Sequence, residues 1–173
     1  VTPTADPRPT WAWTSNDGTG SGLSHYVAAL DSAGPFETSA ETFTPASDLP
    51  NGVHVLRVKA VDNVGNIGEE LVFDDVVVDA ALPAAPAIQG LAPGHNTSPI
   101  LIDWNDVADG GNVITYALQR SADAQFASPI EVAGLADSRY SFDAEAAGEG
   151  GYWFRVKAVS TLPGAGGVKE SGW

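Results

Sequence analysis

An internal repeat is the feature that most restricts the fold of this sequence. The pentapeptide Arg57-Val58-Lys59-Ala60-Val61 recurs unchanged as Arg155-Val156-Lys157-Ala158-Val159, so the two copies start 98 positions apart. Trp13 matches Trp104 at a similar separation. A repeat of roughly 90 residues has the length of one small β-sandwich. The 173-residue chain is therefore predicted to contain two modules in tandem.

A short segment rich in proline and alanine separates the two copies. It runs Ala80-Ala81-Leu82-Pro83-Ala84-Ala85-Pro86-Ala87. Its two prolines stiffen the backbone, and its small side chains offer little apolar surface to bury. We place the boundary there, so that residues 1–82 form the first module and residues 83–173 form the second.

Apolar residues alternate with other residues along several short segments, which is the pattern of half-buried β-strands. The inward positions predicted from this alternation are Trp11, Trp13, His54, Leu56, Val58 and Ala60 in the first module, and Ile100, Ile102, Trp104, Tyr116, Leu118, Tyr152, Phe154, Val156 and Ala158 in the second. No amphipathic helical run of useful length is present. The predicted fold class is all-β, with two sandwiches joined by a short Pro/Ala linker.

Charge and composition restrict the partners of the chain. The net charge is −14, with 12 acidic and 3 basic residues up to Leu82 and 10 and 5 after it. Such a surface repels phosphate backbones and anionic lipid, which argues against nucleic acid as a partner. No segment approaches the roughly 20 apolar residues that span a bilayer, so we expect no membrane insertion. Cysteine is absent, which rules out disulfides and thiolate metal sites. We expect a monomer.

The residues that could perform catalysis do not form a recognisable catalytic motif. No nucleophile or metal motif surrounds any of the three histidines, which are His25, His54 and His95. Glycoside hydrolysis needs two carboxylates about 5 to 10 Å apart across a cleft, which small sandwiches rarely form. The acids that flank one turn, Asp103, Asp106 and Asp109, are expected to be solvated. We expect no enzymatic activity.

His54 occupies the position that Tyr152 holds in the other copy of the repeat. A side chain at this point of a sandwich often closes a corner by a hydrogen bond to the backbone a few residues upstream. We therefore expect a corner hydrogen bond from His54. A metal site at His54 would need two further ligands nearby.

The loop that holds Asp62, Asn63 and Asn66 contains hard oxygen ligands around the turn residue Gly65. Such ligands suit calcium, so these three residues are the candidate metal site. The same side chains also bond their own backbone in ordinary turns. The spacing differs from that of the twelve-residue helical calcium loop, so calcium is the less favoured interpretation and we expect no cofactor.

The second half of the chain resembles a bacterial fibronectin type III domain over nearly its whole length. The resemblance lies in Ile102-Asp103-Trp104, Tyr116-Ala117-Leu118-Gln119, the segment from Tyr152 to Val159, and the terminal Ser171-Gly172-Trp173. The first half is similar to bacterial immunoglobulin-like repeats of large surface proteins. That similarity lies in Trp11-Ala12-Trp13, Gly20-Ser21-Gly22-Leu23, Gly52-Val53-His54-Val55-Leu56 and the segment from Ala60 to Asn66.

Trp153 is the candidate for a functional surface, because a large apolar ring on the outward face of a strand leaves exposed area unless something covers it. A sugar ring could stack on it, or the chain itself could cover it. The fibronectin resemblance favours the second alternative, because it implies that the Ser-x-Trp stretch ending in Trp173 stacks on a guanidinium of a neighbouring strand, here Arg155. The carbohydrate or partner surface would comprise Trp153, Arg155 and Trp173.

The resemblance to these families implies seven-stranded sandwiches without catalytic activity. The expected function is that of a spacer or adhesive module pair from a larger secreted or cell-surface bacterial protein. Its expected partners are the flanking domains of that protein, with a cell-surface protein or a polysaccharide as further candidates. The alternative is an accessory carbohydrate-binding module of a polysaccharide-degrading enzyme.

Overall fold

The computed structural model of this protein describes residues 2–90, 98–164 and 166–173. The chain divides into two compact units. One comprises Val1–Ala80 with Gly164–Gly167, and the other comprises Ala81–Pro163 with Val168–Trp173. Nearly all the regular structure in both units is β-strand. That residues 1–82 and 83–173 form two separate modules stays a prediction.

The part of the first unit that the structure describes contains seven strands in two sheets. The strands are β1 (Thr2–Thr4), β2 (Trp11–Ala12), β3 (Leu23–Leu30), β4 (Phe36–Thr38), β5 (Thr42–Phe43), β6 (Gly52–Asp62) and β7 (Ile67–Val78). Five of them form a sheet in the order β1-β7-β6-β3-β4, and β2 and β5 form a second sheet. Strand β1 pairs in parallel with β7, whereas the other neighbours in this sheet are antiparallel.

Both sheets of the first unit bury side chains in one core. Its buried members are Trp11, Trp13, Tyr26, Ala28, Leu56 and Val58. Trp11 stacks on Phe43 of the paired strand β5 at 6.1 Å between ring centroids, and Trp13 meets the edge of Tyr26 at 5.6 Å. Two sheets packed on a shared core form a β-sandwich. The prediction that Trp11 and Trp13 point inward is confirmed.

The described residues of the second unit also form seven strands. They are β8 (Ile88–Gln89), β9 (Ile100–Trp104), β10 (Val113–Ser121), β11 (Ile130–Leu135), β12 (Arg139–Phe142), β13 (Trp153–Thr161) and β14 (Val168–Glu170). Four form a sheet in the order β11-β10-β13-β14, and three form a sheet in the order β12-β9-β8. The final strand, β14, pairs antiparallel with β13.

The core of the second unit repeats the arrangement of the first. Its buried members are Ile102, Trp104, Tyr116, Leu118, Phe142, Val156 and Ala158. Trp104 meets the edge of Tyr116 at 5.4 Å between centroids, as Trp13 meets Tyr26 in the first unit. The all-β sandwich fold is thus confirmed, and the repeat in the sequence corresponds to equivalent core positions.

One short helix was not expected from the sequence. It is α1 (Ala144–Ala147), and the side chain of Asp143 caps it by accepting a hydrogen bond from the backbone N–H of Ala146 at 3.0 Å. Four residues are too few to produce an amphipathic pattern, which explains why periodicity did not reveal it. Within the described ranges no helix is long and apolar enough to cross a membrane.

Candidate functional site

A row of rings and cations lies on the face of β13 opposite to the core. Because Val156 and Ala158 point into the core, Arg155 and Lys157 point to the other side of the sheet. The Cζ atom of Arg155 lies 4.2 Å from the centroid of the Phe126 ring and 4.9 Å from that of Trp173. The Nζ atom of Lys157 lies 4.8 Å from the Trp173 ring centroid. We call Phe126, Arg155, Trp173 and Lys157 the outer-face ladder.

Hydrogen bonds hold the two cations of the ladder in place. Arg155 donates from Nε and Nη2 to the side-chain oxygen of Gln119, at 2.9 and 2.6 Å. Gln119 in turn donates to Glu131 at 2.7 Å, and Lys157 donates to Glu170 at 2.6 Å. These partners lie on β10, β11 and β14, so the polar contacts of the ladder extend across all four strands of the sheet.

The structure places Arg155 against Trp173, as expected, but not in a stack with Trp153. The rings that Arg155 contacts are those of Phe126 and Trp173. Trp153 stays 45% exposed, and Trp173 is 41% exposed. Phe126 was not identified from the sequence, because it lies in a turn with a φ of 53°, where no strand periodicity applies. The chain therefore covers Trp153 and Trp173 only in part.

His54 closes a corner of the first unit, as the sequence predicted. It is only 5% exposed, and its two ring nitrogens each lie 2.8 Å from an oxygen, Nδ1 from the Asp31 carboxylate and Nε2 from the carbonyl of Pro50. Tyr152 makes the matching contact in the second unit, since its hydroxyl donates to the carbonyl of Gly148, again four residues upstream. The two corners therefore share a geometry and differ in chemistry.

The surroundings of His54 favour its charged form. Burial lowers the pKa of His54, but the hydrogen bond to Pro50 and then the hydrogen bond and charge of Asp31 outweigh burial and raise the pKa above its ordinary value. The pKa of Asp31 shifts the other way. Burial raises it, but the N–H of Val55 and the imidazole of His54 leave it below its ordinary value. Both shifts describe an imidazolium paired with a carboxylate.

The candidate calcium residues form a tight turn in which the carboxylate is already engaged. Asp62 accepts hydrogen bonds from the N–H of Val64 at 3.0 Å, the N–H of Asn66 at 2.8 Å and the side-chain amide of Asn66 at 2.7 Å. Asn63 donates to the carbonyl of Ser21. Desolvation raises the pKa of Asp62, but the hydrogen bonds from Asn66 and Val64 together outweigh it and lower the pKa. In the parts of the chain that the structure describes, no three His, Cys, Asp or Glu residues are grouped to hold a metal ion.

Asp109 differs from the solvated acid expected from the sequence. Its carboxylate lies 2.8 Å from Nζ of Lys169, whose side chain is only 2% exposed, and it accepts from the hydroxyl of Ser160 at 2.6 Å. Burial raises the pKa of Asp109, but Lys169, Ser160 and Asn112 outweigh burial and lower it. Asp103 and Asp106 are exposed, as expected. His95 lies outside the described residues.

Comparison with known proteins assigns no family to this chain. No protein-family model matches the chain, and no curated protein matches it. One similar solved structure is the crystal structure of chicken CNTN1 FN1-FN3 domains, with a TM-score of 0.39 and 12% sequence identity. The match covers 98% of this chain and 60% of that one, so the chain spans less than two thirds of the length of that structure.

Proposed function

We propose that this chain is a non-catalytic pair of spacer or adhesive modules from a larger secreted or cell-surface bacterial protein. The observation that carries the proposal is that the polar groups of the outer-face ladder already form hydrogen bonds and ring contacts within the chain. The Arg155 guanidinium is engaged by Gln119 and two rings, and Lys157 is engaged by Trp173 and Glu170. Groups that bond one another in this way stiffen a module and leave few polar donors for a substrate.

The cores support the same proposal. Each unit fills the space between its sheets with aromatic and aliphatic side chains, which is how a load-bearing or spacing module resists unfolding. The resemblance of the two halves to immunoglobulin-like and fibronectin type III modules of surface proteins supports an extracellular location and a function next to flanking domains. We infer a monomeric chain, since its strongly negative charge opposes self-association.

A second candidate function rests on the partial exposure of Trp153 and Trp173. Both rings lie on one unit and each keeps more than two fifths of its surface exposed. Exposed aromatic rings of this kind can stack on sugar rings, which is the contact that an accessory carbohydrate-binding module would use.

Depletion from solution by insoluble polysaccharides separates the two functions. The chain would be mixed with cellulose, chitin and xylan, and the protein left in the supernatant measured. The spacer proposal expects no depletion. Depletion that disappears in Trp153→Ala, but persists in Leu101→Ala, would establish the carbohydrate function, since Leu101 is also exposed in this unit but lies on the other sheet.

A further inference from the structure

Strand β7 has a long edge beside which no described strand lies. On one side it pairs with β6 along most of its length, whereas on the other side β1 pairs only with Val76, Val77 and Val78. We call residues 67–75 on that side the open β7 edge. A strand edge of this kind presents unpaired backbone N–H and C=O groups at alternate residues. The opposite edge of the same sheet is β4, which has only three residues.

Apolar side chains are exposed on both faces of the open β7 edge. Ile67 is 66% exposed, Leu71 is 45% exposed and Val72 is 42% exposed. Leu71 pairs with the buried Val58 and so lies on the core side of the sheet, whereas Val72 pairs with Arg57 and lies on the outer side. An added strand could cover both, because cross-strand neighbours lie about 4.5–5.5 Å apart.

The charge of the open β7 edge selects its partner. Within the described chain, Glu69, Asp74 and Asp75 form no ion pair, whereas Glu70 is shared by Arg57 at 3.6 Å and Lys59 at 3.5 Å. Two edges of two copies of this chain would bring like charges together, which disfavours pairing between copies. A segment with positive side chains would instead meet three carboxylates that have no cation of their own.

We propose that the open β7 edge binds an extended segment of another protein by strand addition. The segment would alternate apolar with basic side chains, so that its backbone pairs with β7 and its apolar groups cover Leu71 on the core side. Its cations, on the other face, would meet Asp74 and Asp75, which lie together opposite Val55 at a register shift of the sheet. This interaction surface goes beyond the spacer function and does not depend on it.

The test uses the full chain and a labelled synthetic peptide of alternating valine and lysine, about nine residues long, which is enough to match the edge. Binding is measured by fluorescence anisotropy at about 0.15 M salt. The control is the same peptide with methylated backbone amides at alternate positions, which keeps charge and side chains but cannot donate to a strand. We expect the methylated peptide to bind at least about tenfold more weakly. Equal binding of the two peptides would show plain charge attraction and overturn strand addition.

Two matched variants locate the site. Asp75→Lys reverses a charge beside the open edge, and Glu37→Lys makes the same change on β4, the opposite edge of the sheet. We expect Asp75→Lys to weaken peptide binding several-fold more than Glu37→Lys, and bound peptide to slow amide hydrogen exchange in residues 67–75. Equal effects of the two variants, protection elsewhere, or no binding at about 1 mM peptide would each overturn the proposal. A dimer of the free chain that Asp75→Lys abolishes would replace it with self-association.

Discussion

His54 should make the first unit less stable as the pH rises above neutral. Both of its ring nitrogens lie 2.8 Å from an acceptor oxygen, and both can donate only while the imidazole is protonated. Its pKa in the folded chain is raised, so the folded state binds a proton more tightly than the unfolded chain does. The stabilisation is therefore complete below the unfolded pKa of about 6.5 and is lost as the pH rises through the higher folded pKa.

The size of the loss follows from the contact that disappears. A neutral imidazole donates once, so either Pro50 or Asp31 loses its donor. Pro50 and Asp31 are both exposed residues, so water can replace the lost donor and the loss is that of an ordinary hydrogen bond, about 0.5–1.5 kcal/mol. The side chain of Asp31 is 39% exposed, so water screens its share of the interaction. We therefore expect a loss of about 0.5–1.5 kcal/mol, equivalent to a fall of roughly 2–12 °C in the melting temperature of a unit of this size.

The assay follows thermal unfolding of the full chain by NMR between about pH 6 and about pH 9. The indole signals of Trp11 and Trp13 report the first unit, and that of Trp104 reports the second as an internal control. The variant His54→Tyr places in the first corner the residue type that Tyr152 provides in the second, and so removes the imidazole. The quantity compared is the change in the melting temperature of the first unit with pH, not the melting temperature itself. An equal slope in wild type and His54→Tyr would refute the reasoning.

Three further predictions concern single sites. Trp104→Ala should destabilise the second unit by about 3–5 kcal/mol in urea unfolding, because the ring is buried; a cost below about 1 kcal/mol would contradict its place in the core. Lys169→Ala should cost about 3–5 kcal/mol because it leaves the Asp109 carboxylate, which is only 14% exposed, without its cation; an unchanged unfolding midpoint would show that water replaces the lysine. Calcium should not raise the melting temperature, because the Asp62 carboxylate already accepts three hydrogen bonds; a rise that Asp62→Ala abolishes would establish a calcium site.

Strand alternation predicted the cores from the sequence because burial in a sandwich depends mainly on position within one strand. Trp104 and Val156 each lie at inward positions of an alternating segment, and each is buried. The corner hydrogen bond of His54 followed from its alignment with Tyr152 in the repeat. These features depend on a local pattern that recurs in the chain.

The contacts that the sequence did not reveal join distant segments. Lys169 lies on a short strand, where lysine is ordinarily expected to face solvent, and its carboxylate partner Asp109 is about 60 positions away. Phe126 meets Arg155 from a turn, where alternation says nothing about direction. The open β7 edge likewise depends on how few residues of β1 pair with β7, and strand propensity contains no information on that.

The repeated pentapeptide allows a matched test of what surrounds its outward arginine. Arg57 meets Glu70 at 3.6 Å on an exposed face, whereas Arg155 donates twice to Gln119 and contacts two rings. An exposed ion pair contributes at most about 1 kcal/mol and accepts lysine in place of arginine, so Arg57→Lys should leave stability nearly unchanged. Arg155→Lys keeps the charge but loses the planar fork, and two cation–π contacts of about 0.5–1 kcal/mol each make its expected cost about 1–2 kcal/mol. Urea unfolding measures the shift of the midpoint from wild type for each variant in its own unit. Equal shifts for Arg57→Lys and Arg155→Lys would show that the outer-face ladder adds no stability beyond charge.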